Sequence, residues 1–246
     1  LVDREYFAQE IFNGGAKAKW FAITTEWPDY ADLADTVRKL ESYYAYDPDK
    51  AKEVITAEME GMGAELVDGV WSYNGEPIKL NFLIRNDAAR TAMGDWIADK
   101  LEEMGFAEID RQYKSGSEAS PIWIGSDPKE GQWHIYTAGW GASVIDRDQG
   151  NIFQEMYLPT SQQGIPVWLV NEPDPEFQEL GDRLYNADYT TLEERHQMMA
   201  RALELSLQDS FQLFLIDSID FTPYRSDLVA VADLAAGVQG AQVAPY

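Results

Sequence analysis

The chain has 246 residues, 45% of them hydrophobic, which is enough for a sizeable core in one large α/β domain or two small ones and too apolar for wholesale disorder. Its 19 basic and 43 acidic side chains give a formal net charge of -24, a field that repels phosphate backbones and sets nucleic acid and anionic membranes aside as partners. Cysteine is absent, which excludes disulfides, thiolate catalysis and cysteine-ligated metal centres. No apolar run approaches the roughly 18 residues needed to cross a bilayer.

The pattern from Asp3 to Phe12 is amphipathic, with Tyr6, Phe7, Ile11 and Phe12 at helical spacing, and Asn13-Gly14-Gly15 ends it. Trp20 to Tyr30 reads as an irregular loop with two tryptophans and Pro28. Asp47-Pro48 predicts a capped helix start, running to about Met59 before Gly61 and Gly63. Val70 to Tyr73, Asn74-Gly75 and Ile78 to Ile84 read as a hairpin, because Asn-Gly supplies the positive φ angles of a tight turn. Asn86-Asp87 then starts a helix with Met93, Trp96, Ile97 and Leu101 on one face. Gly105 stops it, and a strand over Ala107 to Tyr113 completes a βαβ-type unit. Ligands in such sheets sit outside the strand ends, which makes Asn86 a candidate.

Lys114 to Gln132 reads as a short helix and loops that carry Trp123. A central, buried strand is expected over Ile135, Tyr136 and Thr137. It runs into Gly139-Trp140-Gly141, where a large ring between two glycines suits a close approach to a ligand. An acidic turn, Asp146-Arg147-Asp148, follows. Further on, helices are expected over Asn151 to Tyr157, Phe177 to Tyr185 and Leu192 to Leu207. The segment from Pro159 to Pro175 reads as a long loop, Phe211 to Ile216 as a strand and Phe221 to Tyr224 as a short extended piece.

Catalytic signatures are sparse. The two histidines, His134 and His196, lie on different elements and form no metal motif, so each reads as structural. The sequence holds no nucleophile elbow, Walker loop or dinucleotide fingerprint. Asp146-x-Asp148-x-Gly150 starts like a calcium loop, but its glycine is one place early and no bidentate Glu closes it. Neither metal nor cofactor is expected. The eight tryptophans remain, with Trp123 and Trp140 placed where a ring can stack on a solute.

The order of segments is more specific than any single residue. Asp3-Arg4-Glu5 with Asn13-Gly14-Gly15-Ala16 resembles the "DRE…G.A" helix of the family 5 extracellular solute-binding proteins, the peptide, nickel and oligosaccharide receptors of ABC importers. Tyr46-Asp47-Pro48-Asp49-Lys50-Ala51-Lys52 is similar to that family's "Y.DP.KAK.LL" helix. Trp71, Gly75 and the strand from Ile78 resemble its "G.W…G.P..L" step, and Ala98 to Gly105 its "I...L...G" helix. Trp133 to Trp140 is similar to its "FD....GW" strand, and Glu194-Arg195 to its "ER" helix.

The resemblance implies an α/β fold: the second, C-terminal lobe of a type 2 periplasmic-binding-protein-like architecture, with a mixed sheet flanked by helices. Residues 1–246 would form that lobe as a single domain. A start at Leu1 that reads like mid-helix, and a stop at Tyr246 without a closing element, agree with a piece of a longer chain. The same resemblance implies a non-catalytic receptor on the outer side of a membrane. It would capture a small solute between two lobes, as a receptor of the peptide/oligopeptide transport family with an oligosaccharide receptor of the same family as the alternative, and dock on ABC permease subunits. Trp140, Gly141, Ser143 and Asp146 would line the site, with Asn86 and Trp123 beside it. Peptide-binding members carry an Asp three residues after this Trp, where it pairs with the peptide's α-amino group. Ser143 stands there and points towards an uncharged solute or a peptide held otherwise, with Asp146 as a compensating carboxylate. A carbohydrate-active enzyme with a Trp-lined cleft, or a protein-interaction domain, would be the alternatives.

Overall fold

The computed structural model describes residues 1–141, 148–219, 223 and 225–227. Helix α1 (Arg4–Tyr6) is capped by the Asp3 carboxylate, which accepts from Tyr6 N–H at 2.9 Å, and it winds on as a π turn over Phe7–Ile11. Strand β1 (Ala16–Ala18) follows, then α2 (Pro28–Asp32), which begins within the stretch Trp20 to Tyr30 that reads in the sequence as irregular, and α3 (Ala34–Tyr43). The predicted start of α4 (Pro48–Gly61) holds: Asp47 accepts from Lys50 N–H at 3.0 Å. Asn74 and Gly75, with φ of 51° and 83°, turn β3 (Val70–Tyr73) back on β4 (Glu76–Pro77). An unpredicted short strand, β2 (Glu65–Val67), pairs on the other side of β3.

The hairpin differs from expectation in its second arm. The second arm is short: Glu76 and Pro77 pair with β3, Ile78 N–H still donates to the Trp71 carbonyl at 2.9 Å, and the chain then leaves for another sheet as β5 (Lys79–Arg85). Helix α5 (Ala88–Glu103), capped by Asp87, and β6 (Glu108–Lys114) complete the predicted βαβ unit, with β5 and β6 parallel over seven register pairs. Helix α6 (Gly116–Trp123) leads to β7 (Ile135–Tyr136), which pairs parallel with β5. The order β6-β5-β7 makes β5 the central strand. The stretch expected to be central is therefore a two-residue edge strand whose side chains are only half-buried. The remaining elements are α7 (Ile152–Tyr157), α8 (Pro166–Leu169), α9 (Pro175–Tyr185), α10 (Leu192–Asp209) and β8 (Ile216–Ser218). Helix α8 interrupts the expected long loop, and β8 lies five residues beyond the expected start of its strand at Phe211. The extended piece expected over Phe221 to Tyr224 falls largely outside the described residues.

The chain divides into two compact units. The first comprises Leu1–Asn13, Tyr43–Ala138 and Gln163–Asn171. Its parallel sheet packs Phe82 and Ile84, both fully buried, against Ala98 of α5. Gly94 lets α5 come close, since a Cβ there would lie 2.8 Å from Ile84 Cγ2. A second cluster joins Met59, Ala64, Trp71 and Phe106, with Trp71 Nε1 donating to the Met104 carbonyl at 2.9 Å.

The second unit comprises the described part of 14–42, 139–162 and 172–246. Its helices α7, α9 and α10 pack around Phe153, Tyr157, Leu158 and Phe177. Phe153 and Tyr157 meet Phe177 edge-on at 6.2 and 5.3 Å. Strands β1 and β8 form an antiparallel ribbon, tied to the neighbouring loop by Asp217, which accepts from Lys19 Nζ at 2.7 Å and from Thr25 N–H at 3.1 Å.

Candidate functional site

In the first unit, the carboxyl ends of β5, β6 and β7 gather the groups that suit ligand binding. Parallel register places Leu83 opposite Tyr136 and Gln112, and Arg85 opposite Lys114. These side chains share one face of the sheet, and α6 covers it. The other face carries Phe82, Ile84 and α5. Helix α6 begins with a capping box: Glu118 N–H donates to Ser115 Oγ at 3.4 Å, and Ser115 N–H donates to Glu118 Oε2 at 2.8 Å. The Ser115 hydroxyl, donating to Glu118 Oε2, and with it the Ser115 N–H, hold the Glu118 carboxyl below the usual carboxylate range.

The far end of α6 delivers Trp123 to Tyr136. The two rings stack at 5.4 Å and 27°. Trp168 of α8 tilts against Trp123 at 6.4 Å, and Trp133 meets Tyr136 edge-on at 6.4 Å. This row of rings stands at the end of a parallel sheet where ligands of α/β folds are received. The sequence isolates Trp123, but the partner rings become visible only once the period-2 alternation of β7 is combined with the β5 register.

The second unit holds an ion cluster whose Arg195–Asp29 pair is buried. The Arg195 guanidinium donates to both oxygens of Asp29, at 2.7 and 2.8 Å, and to Asp148 Oδ1 at 2.7 Å. Gln149 N–H donates to Asp29 Oδ2 at 2.6 Å, and Tyr189 OH to Asp148 Oδ2 at 3.1 Å. Burial works to lower the Arg195 pKa, but hydrogen bonds to Asp29 and Asp148 outweigh it and raise the pKa above its ordinary value. The same contacts overcome desolvation at Asp148 and depress its pKa. Asp29, Asp32 and His196 bring three ligand-type atoms within 4.8 Å of one another. Both Asp29 oxygens are committed to Arg195, so a dication there would face a guanidinium. The grouping is an ion-pair network rather than a metal centre, with His196 Nε2 3.9 Å from Asp32.

The sequence-derived candidates are distributed over both units. Asn86 is exposed just past β5, its N–H donating to the Lys114 carbonyl at 3.0 Å. Trp123 is half-buried at the last position of α6, in a helix rather than a loop. Trp140 is 41% exposed, and Gly141 has open space where a Cβ would stand. Ser143 and Asp146 lie outside the described residues. His134 brackets Asn81: its ring Nδ1 accepts from Asn81 N–H and its backbone N–H donates to the Asn81 carbonyl, both at 2.8 Å, in keeping with the structural role expected of it.

A family model described as bacterial extracellular solute-binding proteins, family 5 Middle, matches residues 1–161. Among curated proteins none matches significantly. Among solved structures, the periplasmic oligopeptide-binding protein of Thermotoga maritima, bound to mannohexaose, is similar over 89% of this chain and 40% of its own, at 18% identity and a TM-score of 0.66. A protein from Campylobacter jejuni in complex with Ni(L-His) is similar over 87% of this chain and 39% of its own, at 14% identity and 0.61. An oligopeptide-binding protein of Bacillus subtilis, in complex with a nonapeptide, covers the same shares at 13% and 0.60. The chain thus spans about two fifths of the length of these structures. At such identities the likeness shows the fold, the α/β architecture of periplasmic binding proteins, and the matched family model supplies the membership: the chain belongs to the bacterial extracellular solute-binding proteins of family 5.

Proposed function

We propose that residues 1–246 are the C-terminal lobe of a two-lobed receptor that captures an extracytoplasmic solute between its lobes and presents it to ABC permease subunits, without catalysis. The observation that carries this reading is the stack of Trp123 on Tyr136 at the carboxyl end of the parallel strands. It is a flat, partly accessible apolar wall in the place where α/β sheets receive ligands. Coverage of nearly all of this chain but only 40% of its structural neighbours agrees with one lobe of a larger receptor. In the same unit Asn86 offers an amide at the strand end; on the second unit the residues proposed from the sequence are Trp140, a ring, Gly141, a close backbone approach, Ser143, a hydroxyl, and Asp146, a carboxylate.

The neighbours were solved with mannohexaose, Ni(L-His) and a nonapeptide, so the fold serves several solute classes. Ser143, in place of the carboxylate that pairs with a peptide's amine, together with the stacked rings, favours an oligosaccharide over a free-amine peptide as the second reading within the same family. The test is a thermal-shift screen of the full receptor against peptides, oligosaccharides and nickel chelates. A solute that binds the native state raises its melting temperature in a concentration-dependent way. No shift across the three classes would sink the receptor reading.

A further inference from the structure

Helix α10 ends on a carboxylate, at the pole where its own dipole is negative. Asp209 is its last residue, and its last turn carries no basic side chain. Ser210 follows in the left-handed region, with φ of 55°, and its N–H closes the helix on the Ser206 carbonyl at 3.3 Å. The Phe211 N–H donates to the Asp209 carboxyl, but Oδ2 is buried and, among the described residues, accepts no hydrogen bond. Shutting a carboxylate oxygen away from water without a donor penalises the charged form and spares the protonated one.

The neighbouring helices add to that penalty. Helices α9 and α10 pack together, and the N-cap of α9 is a second carboxylate, Asp174. Asp174 accepts from Glu176 N–H at 2.8 Å and repels a charge on Asp209. From α7 comes Tyr157, fully buried and hydrogen-bonded to Ser206; burial raises its pKa, so it stays neutral throughout the acid range. Arg201, the cation that bridges α9 and α10, is taken by Glu176 and Glu204 at 2.6 and 2.9 Å. Burial, the largest influence, acts with Asp174 to outweigh the Phe211 N–H, and the Asp209 pKa lies above the ordinary 3.8.

We infer that Asp209 is a proton-binding site that ties the end of α10 more firmly to the start of α9 as pH falls. Uptake of one proton removes the charge from the negative pole of the helix and, with it, the repulsion by Asp174. Because folding raises the pKa, the stability contributed by the protonated carboxyl is fully present below about pH 4. It is lost as pH rises through the higher folded value. The other end of the same helix answers acid the opposite way. There Arg195 holds Asp148, whose depressed pKa makes its contribution fade as pH falls. Acid that weakens the Arg195 end therefore strengthens the Asp209 end. This inference goes beyond the receptor reading and does not depend on which solute the lobe holds.

The experiment is thermal melting of the full receptor between pH 3 and pH 7, as wild type and as Asp209→Asn, each also in an Asp174→Asn background. Asparagine is close in shape to the protonated acid and cannot ionise. The melting temperature of Asp209→Asn relative to wild type should rise by about 1 °C or more from pH 3 to pH 7. A constant offset reports packing alone, so the rise with pH is the diagnostic. Asp209→Ser, which also removes the charge, should show the same rise on its own offset and serves if the asparagine variant folds poorly. Asparagine caps helices as well as aspartate, so Asp174→Asn keeps the α9 cap while removing its charge. In that background the rise should be smaller. A difference that stays flat or falls from pH 3 to pH 7 in both Asp209 variants would overturn the proton site. An equal rise with and without the Asp174 charge would overturn the tie to α9.

Discussion

Arg195 binds both carboxylate oxygens of Asp29 in a buried, forked ion pair, and the same guanidinium reaches Asp148. Asp29 sits in α2 and Arg195 in α10, so the pair ties together elements 166 residues apart in sequence. The residual acceptor capacity of Asp29 is used by Gln149 N–H. With charge and hydrogen bonds both satisfied, the pair holds, but removal of either member strands a buried charge. Arg195→Met should therefore cost about 3 to 5 kcal/mol in urea unfolding, and Arg195→Met with Asp29→Leu should recover part of it. Equal losses for the single and double variants would show that packing, not the stranded charge, sets the cost.

The Asp148 carboxyl gives a pH signature. Burial pushes its pKa up, but hydrogen bonds from Arg195, Gly150 N–H and Tyr189 outweigh this, so its folded pKa lies below the ordinary 3.8. The unfolded state then binds the proton first as pH falls. The contribution of Asp148 is fully present above about pH 4 to 5 and is lost as pH drops through the folded value. Asp148→Asn should lower stability at pH 7 and flatten the acid limb below pH 4. Because the group is only partly buried, the effect is discounted for solvent screening to about 1 kcal/mol. Stability curves from pH 2 to pH 7, measured by urea titration, check both features.

Local signals read well where one residue type answers one backbone need. Asp47-Pro48, Asn74-Gly75 and Asp87 each do what their chemistry dictates. The central strand carries no such local signal. Lys79 to Arg85 alternates only partly, and nothing local distinguishes a strand flanked on both sides from an edge strand such as Ile135–Tyr136. Sheet order is decided by pairing between segments up to 53 residues apart. The Arg195 cluster is hidden for the same reason: its three members lie in three segments, each ordinary on its own. The segment order alone carries the resemblance to the solute-binding family, while the facing of Arg85 and Lys114 follows only from the strand register.

Gly94 tests the packing of the central strand. A Cβ at this position would meet Ile84 Cγ2 at 2.8 Å and its Cγ1 and Cδ1 at 3.0 Å. Ile84 is fully buried on β5, in the cluster with Phe82 and Ala98. Helix propensity would favour alanine by about 1 kcal/mol, but overpacking costs about 1 to 3 kcal/mol. Gly94→Ala should be net destabilising by about 1 kcal/mol. At Gly61, the last residue of α4, an added Cβ meets nothing within 4 Å, and Gly61→Ala should stabilise by about 0.4 to 1 kcal/mol. The opposite signs, read in the same urea titration, separate packing from propensity.

Trp123 and Trp140 should respond differently to truncation. Trp123 is half-buried between Tyr136 and Trp168, so Trp123→Ala removes packing as well as a ring face and should cost about 3 kcal/mol of stability. Trp140 is 41% exposed in a non-regular segment, and Trp140→Ala should cost about 1 kcal/mol at most. In the full receptor each substitution should weaken solute binding by about ten-fold or more where its own ring contacts the solute. Trp123→Phe separates the two roles of Trp123, since it keeps a stackable face while shedding the indole nitrogen. It should retain most of the affinity. Unchanged affinity in Trp140→Ala would remove that residue from the site, and unchanged affinity in a folded Trp123→Ala would dismiss the stacked wall itself.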